Sequence, residues 1–295
     1  MDMQNFGYWK TDTLNMKNAA MLLPEFSVIE VKGDDAVSFV HGQVTNHINN
    51  LGNAFRLAAY CQPKGRILSL MRIFKRNDAL YLIMPKDLVP GFIKRFSMFI
   101  LRSKVSLRIA DELSVFGVIA PSFELPEVDQ CLYKEQLTIA RVADAKELQR
   151  CMIIGEAKEV EALIQPTSSS AQWFATDIIA GLPWVCEATK EAFIPQWINL
   201  DLIGGVVFNK GCYPGQEVIA RVQHIGSTPR RMKVICAKTS VTTAPNDDIT
   251  QDNSPVGNIV MAVSTNSETL ALAEITNVSA EVGQFIVNGT EFVLA

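Results

Sequence analysis

The chain has 295 residues, 48% of them apolar, and a formal net charge of −4. This length exceeds the size at which a single hydrophobic core stops growing, so we expect two or three domains. The weak negative charge argues against wholesale electrostatic binding to nucleic acid, which is typical of strongly basic domains. The apolar runs are interrupted by charged residues or proline, well short of the roughly 20 residues that span a bilayer.

The N-terminal stretch MDMQNFGYWKTDTLNMK has acidic and amide residues where a signal peptide carries a basic stretch and an apolar core. We therefore expect a cytoplasmic protein without a membrane partner. The six cysteines lie far apart and never form CxxC, and the chain has only three histidines. Local ligand spacing for zinc or an iron–sulfur cluster is missing, so we predict no metal site.

Strand and helix patterns are mixed in the first two thirds of the chain. Residues 26–31 are typical of a strand, and a helix with Asp34 as its N-cap follows. Further patterns predict strands at 55–61, 67–74 and 79–84, an amphipathic helix at 88–101, and strands at 105–109 and 115–120. This mixture is typical of an α+β fold.

The remaining patterns divide the chain further. Strand patterns at 132–142 and 151–154 precede a helical pattern at 157–164. The Ser-rich stretch at 166–170 predicts a loop, with Ser170 as N-cap of a helix at 171–180. Beyond Gly226, short β-rich runs predict a small β-barrel. We therefore predict an α+β region at 1–165, its continuation at 166–228, and the barrel at 229–295.

The segment NKGCYPGQEVIAR, residues 209–221, combines one cysteine with turn residues and the start of a helical pattern. Gly211 and Gly215 allow backbone angles closed to other residues, and the apolar spacing from Gln216 onward predicts a short amphipathic helix. Cys212 would then lie near a helix N-terminus and beside Lys210. Both features favour a reactive thiolate.

A second interpretation of Cys212 is a small buried hydrophobe, as most lone cysteines are. No neighbouring residue supplies a general base, and His224 lies twelve residues further on. Local chemistry alone therefore leaves both interpretations open.

The octapeptide KGCYPGQE, residues 210–217, resembles the signature K-G-C-[YF]-x-G-Q-E of the YgfZ family. These folate-binding proteins are related to the T-protein (aminomethyltransferase) of the glycine cleavage system. The family carries similar sequence at GQVTN (42–46), PKGRI (63–67), AGLP (180–183) and the stretch from Phe193. The resemblance covers about residues 26–231, and the barrel agrees in domain order only. It implies a three-domain, ring-like aminomethyltransferase fold around a central channel that binds tetrahydrofolate.

The resemblance also implies roles for single residues. Two tryptophans are associated with folate binding in the family: one matches Trp173, and the other position holds Phe26. A phenylalanine still stacks on a pteridine ring, with less area and no N–H donor. Cys212 becomes the functional thiol, and the supporting motif residues are Lys210, Gly211, Tyr213, Gly215, Gln216, Glu217 and Arg221.

The acidic pair of the related aminomethyltransferases is missing from this chain. That pair follows the glycine matched by Gly65, where this sequence has Leu68 and Ser69, and no Asp or Glu lies between Lys64 and Arg76. Aminomethyl transfer by that route lacks its acid–base group, so we do not expect classical catalytic turnover. The segment is basic, which suits a polyglutamyl folate tail, an RNA phosphate or an acidic partner.

The function implied by the resemblance is folate-dependent support of iron–sulfur enzymes and, through one of them, of tRNA methylthiolation. Iron–sulfur client or assembly proteins are the expected partners, and direct contact with tRNA stays open. One thiolate cannot supply the four ligands of a stable cluster, so any cluster would be shared with a partner or a second copy. The alternatives are a folate-dependent aminomethyl or C1 transferase and a non-catalytic iron–sulfur assembly scaffold.

Overall fold

The computed structural model describes residues 6–14, 18–226 and 228–295. The strands are β1 (Tyr8–Lys10), β2 (Ala19–Leu22), β3 (Phe26–Lys32), β4 (Arg56–Cys61), β5 (Ile67–Arg76), β6 (Ala79–Pro85), β7 (Ser106–Ile109), β8 (Ser114–Ile119), β9 (Cys131–Lys134), β10 (Leu137–Ala145), β11 (Leu148–Gly155), β12 (Arg230–Ala237), β13 (Asp248–Gln251), β14 (Ser254–Ser264), β15 (Thr269–Thr276), β16 (Gln284–Val287) and β17 (Thr290–Leu294). The α-helices are α1 (Ala36–His41), α2 (Val89–Ser97), α3 (Ala157–Leu163), α4 (Ser170–Ile179), α5 (Gln216–Ile225) and α6 (Asn277–Val282).

Two antiparallel five-stranded sheets form the first part of the fold. One has the order β4-β5-β6-β3-β7 and the other β2-β8-β11-β10-β9. Their strands alternate along the chain, since β2 and β8 belong to the second sheet while β3 and β7 belong to the first. In β5, the residues from Ile67 to Phe74 are all buried. Such uninterrupted burial, which includes Ser69 and Arg72, is expected of a strand that is covered on both faces.

The last part of the chain closes into a six-stranded barrel. The order β14-β13-β16-β17-β12-β15 returns to β14, because β14 and β15 also pair with each other. The strand β1, from the other end of the chain, joins β14 in parallel, with Tyr8 opposite Ala262. Closure removes exposed strand edges and creates the separate apolar core of the barrel.

Helix α4 joins the barrel to the second sheet. It packs on β14 and β15 and on β2 and β8. Every side chain from Ala171 to Ile178 is buried, which is expected of a helix covered on all sides. None of the helices that the structure describes is long and apolar enough to cross a membrane.

The predicted α+β class and the C-terminal barrel are confirmed, whereas some element ends differ. Helix α1 begins after Asp35, and the Asp34 carboxylate forms an ion pair with Lys104 at 3.0 Å instead of capping the helix. Helix α4 already includes Ser170, whose hydroxyl donates to the Glu25 carboxylate. The sequence patterns did not predict β1, β2, β13 or α6, because such short elements give too little periodicity to recognise.

Candidate functional site

The Cys212 loop, residues 209–215, packs against the turn that precedes β5. Gly215 is the N-cap of α5 with φ +85°, and a Cβ there would lie 2.7 Å from the Gln62 carbonyl oxygen. Gly65 has φ +77°, and a Cβ on it would lie 3.1 Å from Val218 Cβ. Both turns therefore require glycine, for conformation and for space. The structure thus brings the predicted KGCYPGQE and PKGRI segments together.

Lys210 fastens the other side of the Cys212 loop. Its side-chain Nζ donates to the carbonyl oxygens of His41 and Val44, each at 2.6 Å, and lies 4.7 Å from the centre of the Tyr213 ring. Burial lowers the pKa of Lys210 to about 8. The pKa of His41 is also lowered, first by burial and then by the Lys210 charge. Lys210 thereby anchors the loop to the end of α1.

The GQVTN segment holds a neighbouring loop that leads into the Cys212 loop. The Thr45 hydroxyl donates to the Gly205 carbonyl at 2.6 Å. The Asn46 amide donates to the Leu57 and Gly204 carbonyls at 2.8 and 2.7 Å. These bonds join the GQVTN segment to β4 and to the loop at residues 204–205, so they fix the approach to the motif.

Cys212 is exposed, whereas the other cysteines are buried or, for Cys236, partly buried. The sequence predicted that the Lys210 ammonium lies beside the Cys212 thiol. Among the described residues, no hydrogen bond joins the two groups, and the ammonium donates to the His41 and Val44 carbonyls instead. Helix α5 begins four residues after Cys212. His224, near its other end, lies about 12 Å along the helix axis from Gln216. The geometry presents an accessible thiol at the tip of a well-anchored loop.

The remaining motif residues have different surroundings. Gln216 closes the loop by donating to the Lys210 carbonyl at 3.3 Å. Glu217 and Arg221 form an ion pair on the exposed face of α5 at 3.0 Å. Gly211 is exposed, and nothing lies within 4 Å of the position that a Cβ would occupy there.

Phe26 and Trp173, the predicted folate-binding aromatics, are both buried. The Phe26 ring packs on Trp184, with 4.6 Å between ring centres, and on Phe174 at 5.7 Å. The Trp173 ring lies under the Arg150 guanidinium at 5.0 Å and against Gly117, where a Cβ would be 2.4 Å from the indole. Neither aromatic lines any of the cavities described below, and their part in folate binding stays a prediction.

A narrow central cavity lies beside these two rings. Its volume is about 10 Å³, and its lining residues are Leu57, Arg72, Val142, Met152, Asp177, Leu182, Pro183 and Trp184. Asp177 accepts from Arg150 Nη1 at 2.7 Å and from Trp184 Nε1 at 3.0 Å. Phe26 therefore packs behind Trp184, which forms part of the cavity wall, and Trp173 packs against Arg150 of the Arg150–Asp177 ion pair.

Sequence reasoning did not single out Asp177 or Arg150. A carboxylate within the apolar helical pattern AQWFATDIIA was the available signal, because a charge on a buried helix face requires a buried partner. Burial raises the pKa of Asp177, and Arg150 opposes that shift. The Arg150–Asp177 pair is buried, and Asp177 lines the cavity together with a second buried charged residue, Arg72.

The central cavity combines charged and apolar lining residues. A carboxylate accepts from amino and amide N–H groups, and the walls from Leu57, Met152 and Trp184 are apolar. Trp173 Nε1, which lies outside the cavity lining, is a buried donor without a hydrogen-bond partner among the described residues. The volume, however, is that of about one water molecule, so a pteridine ring does not fit the cavity as it stands.

The two positions that match the acidic pair of the aminomethyltransferases, and the possibility of a metal site, can also be examined in the structure. Leu68 and Ser69 are buried in β5 and supply no acid–base group. The described residues contain no group of three or more His, Cys, Asp or Glu side chains that could hold a metal ion.

Comparison with known proteins identifies relatives over most of the chain. No family model matches. The protein named tRNA-modifying protein YgfZ from Hamiltonella defensa is 33% identical over 236 residues, covering 74% of this chain and 70% of that protein. The protein of the same name from Colwellia psychrerythraea is 31% identical over 225 residues, with 71% and 69% coverage. A third, from Klebsiella pneumoniae, is 30% identical over 250 residues, with 78% and 75% coverage.

The fold is shared with a solved aminomethyltransferase. The glycine cleavage system aminomethyltransferase T from Bartonella henselae superposes with a TM-score of 0.68 over 95% of this chain and 86% of that one, at 11% identity. This likeness confirms the predicted aminomethyltransferase fold. The identities of 30 to 33% over more than two thirds of each relative show the family: this chain is a member of the YgfZ family.

Proposed function

We propose that this protein supports tRNA modification by maintaining an iron–sulfur enzyme, with Cys212 as its functional thiol and reduced folate as its bound cofactor. The observation that carries the proposal is the exposed Cys212 on a loop fastened by Lys210 and by the Gly65–Gly215 contact. The name tRNA-modifying protein YgfZ, which the three relatives bear, supports the tRNA role.

The thiol would act transiently on a client protein. A tightly held backbone presents Cys212 in one position, so little conformational freedom is lost on contact. A stable cluster usually has four protein ligands, and Cys212 supplies only one of them. Any cluster that this thiol contacts would therefore be held by the client protein and would be the substrate. The proposal places the protein in the cytoplasm, where thiols stay reduced.

Reduced folate would bind at the central cavity after its walls separate. In this proposal Asp177 accepts from the pteridine N–H groups and Trp184 packs on the ring, while Phe26 and Trp173 keep these two side chains in place. The folate would supply a redox-active pteridine close to the centre of the fold. No observation favours aminomethyl transfer, since Leu68 and Ser69 replace the acidic pair.

The thiol is tested by complementation in a bacterial strain that lacks its own copy. Cys212→Ala should lose most of the tRNA methylthiolation and most of the activity of a dependent iron–sulfur enzyme, because the exposed sulfur is removed. Cys236→Ala, at a partly buried position in β12, is the matched control and should restore both. Methylthiolated nucleosides are measured by mass spectrometry, with protein levels measured in parallel. Full restoration by Cys212→Ala would contradict the proposal.

Folate binding is tested by titrating tetrahydrofolate while tryptophan fluorescence is followed. We expect a saturable change that persists in Trp197→Phe, whose ring faces Arg66 at 4.6 Å, and is mostly lost in Trp184→Phe. Asp177→Asn should bind several-fold more weakly, because the amide replaces a charged acceptor. A fluorescence trace without saturation in the parent protein would rule out this part of the proposal.

A further inference from the structure

A second cavity, of about 290 Å³, lies under helix α2, between strands β4 and β5 and residues 187–191. We call it the α2 cavity. It shares no lining residue with the central cavity or with the Cys212 loop. Its volume is at the lower end of the range for small-molecule sites, so it suits a ligand smaller than folate.

The inner walls of the α2 cavity are apolar. Leu68 of β5, Leu88 just before α2 and Phe92 within α2 all line the cavity. The Tyr60 ring meets Phe92 edge to face, with 5.7 Å between ring centres. An aromatic or aliphatic part of a ligand would bury its apolar surface against these walls, which favours binding.

Arg95 provides a polar group that protein contacts do not satisfy. Burial raises the pKa of Tyr60, and the neighbouring Arg95 guanidinium opposes that shift. The Nε of Arg95 is buried and has no hydrogen-bond partner among the described residues. A buried donor on a charged group is costly when it is left unpaired, so this atom indicates an acceptor supplied by a ligand.

The charges around the α2 cavity favour an anion. Lys94, Arg95 and Lys190 line it together with two carboxylates, and Lys190 pairs with one of these, Glu187. Glu191 is the other carboxylate, which leaves a net positive charge at the mouth. The wall formed by Leu68 and Ser69 carries no charge. Nothing in the inner wall would therefore repel a carboxylate.

We propose that the α2 cavity binds a small organic carboxylate, with its charged end on Arg95 and its apolar body against Leu68, Leu88 and Phe92. A planar guanidinium is the side chain best suited to hold a carboxylate through paired hydrogen bonds. The site stands apart from the proposed folate cavity and from the thiol, and it requires neither.

The full-length protein, labelled with carbon-13 at its methionine methyl groups, tests this proposal by NMR. Hydrocinnamate, a phenyl ring on a short carboxylic acid, is the probe, and Met98 in the cavity wall is the reporter, assigned through Met98→Leu. We expect a saturable shift of the Met98 methyl signal. The neutral amide hydrocinnamamide should bind about tenfold more weakly, because it cannot form the charge-assisted bonds.

Arg95→Met should weaken hydrocinnamate binding about tenfold as well. Arg102→Met removes an exposed arginine outside the cavity and should leave binding unchanged. An unmoved Met98 signal, equal affinity for acid and amide, or full binding by Arg95→Met would overturn the proposal. Should Arg95→Met not fold, the comparison of acid and amide on the parent protein decides the question.

Discussion

At the scale of single residues, Lys210 shows how a charge can serve an anchoring role. Its side chain is buried, and its three ammonium protons have two carbonyl acceptors and an aromatic face as neighbours. These contacts only partly replace water, which is why burial lowers the pKa of Lys210. Lys210, two residues before Cys212, thus fixes the position of the loop backbone.

The lowered pKa of Lys210 predicts a pH dependence of stability. Between its folded value of about 8 and its ordinary 10.5, the unfolded chain binds more protons than the folded chain. The free energy of unfolding contributed by Lys210 therefore rises with pH across this window. Urea unfolding near pH 7 and near pH 10 measures it: relative to Lys210→Met, the parent protein should be more stable at the higher pH than at the lower one.

Lys64→Met is the control for this experiment, because Lys64 is exposed. Lys64→Met should change the free energy of unfolding by the same small amount near pH 7 and near pH 10. If Lys210→Met and the parent protein responded equally to pH, burial of the ammonium would not be the source of the shift.

At the scale of elements, the site depends on two turns in contact. The turn at Gly65 precedes β5 and the turn at Gly215 begins α5, and each requires a left-handed backbone next to the other. Since the two turns come from distant parts of the chain, their contact fixes the direction of α5 relative to the first sheet. The Cys212 loop is positioned by that contact.

Gly215→Ala is expected to destabilise the protein by about 1–3 kcal/mol, because a residue with a Cβ is strained at φ +85° and clashes with the Gln62 carbonyl. Gly211→Ala is the matched variant within the same loop, with open space around the added methyl group. It should change the free energy of unfolding by less than about 0.5 kcal/mol. Chemical unfolding of the two variants compares them, and equal effects would refute the packing argument.

At the scale of the whole molecule, the N-terminal strand connects the barrel to the rest of the fold. Trp9 of β1 lies beside β14 and stacks on Phe174 of α4, with 3.6 Å between ring centres. Its Nε1 donates to Glu25 at 3.0 Å. Trp9 therefore links the barrel, through backbone pairing with β14, to the connecting helix and the segment before β3, which its side chain contacts.

Trp9→Ala should lower the free energy of unfolding by about 3–5 kcal/mol, because it leaves a large cavity where these parts meet. Val278→Ala removes an apolar side chain that is 78% exposed, so its effect should stay within about 0.5 kcal/mol. Guanidinium unfolding followed by circular dichroism measures both. A Trp9→Ala curve that matched Val278→Ala would show that the N-terminal strand is not a structural link.

The sequence alone predicted the α+β class, the C-terminal barrel and helix α5, whose predicted start at Gln216 agrees with the structure. These features depend on local periodicity and turn residues, which neighbouring positions are enough to determine. The signature KGCYPGQE likewise carried the family assignment. Short elements such as β1 and β13 escaped prediction because three or four residues define no period.

Only the tertiary structure decided which distant groups meet. The contact between Gly65 and Gly215, the carbonyl partners of Lys210 and the partnership of Asp177 with Arg150 join residues far apart in the chain. The tertiary structure also placed Phe26 and Trp173 behind the central cavity, outside the residues that line it. Such contacts depend on how sheets, barrel and helix α4 pack together, and no local pattern contains that information.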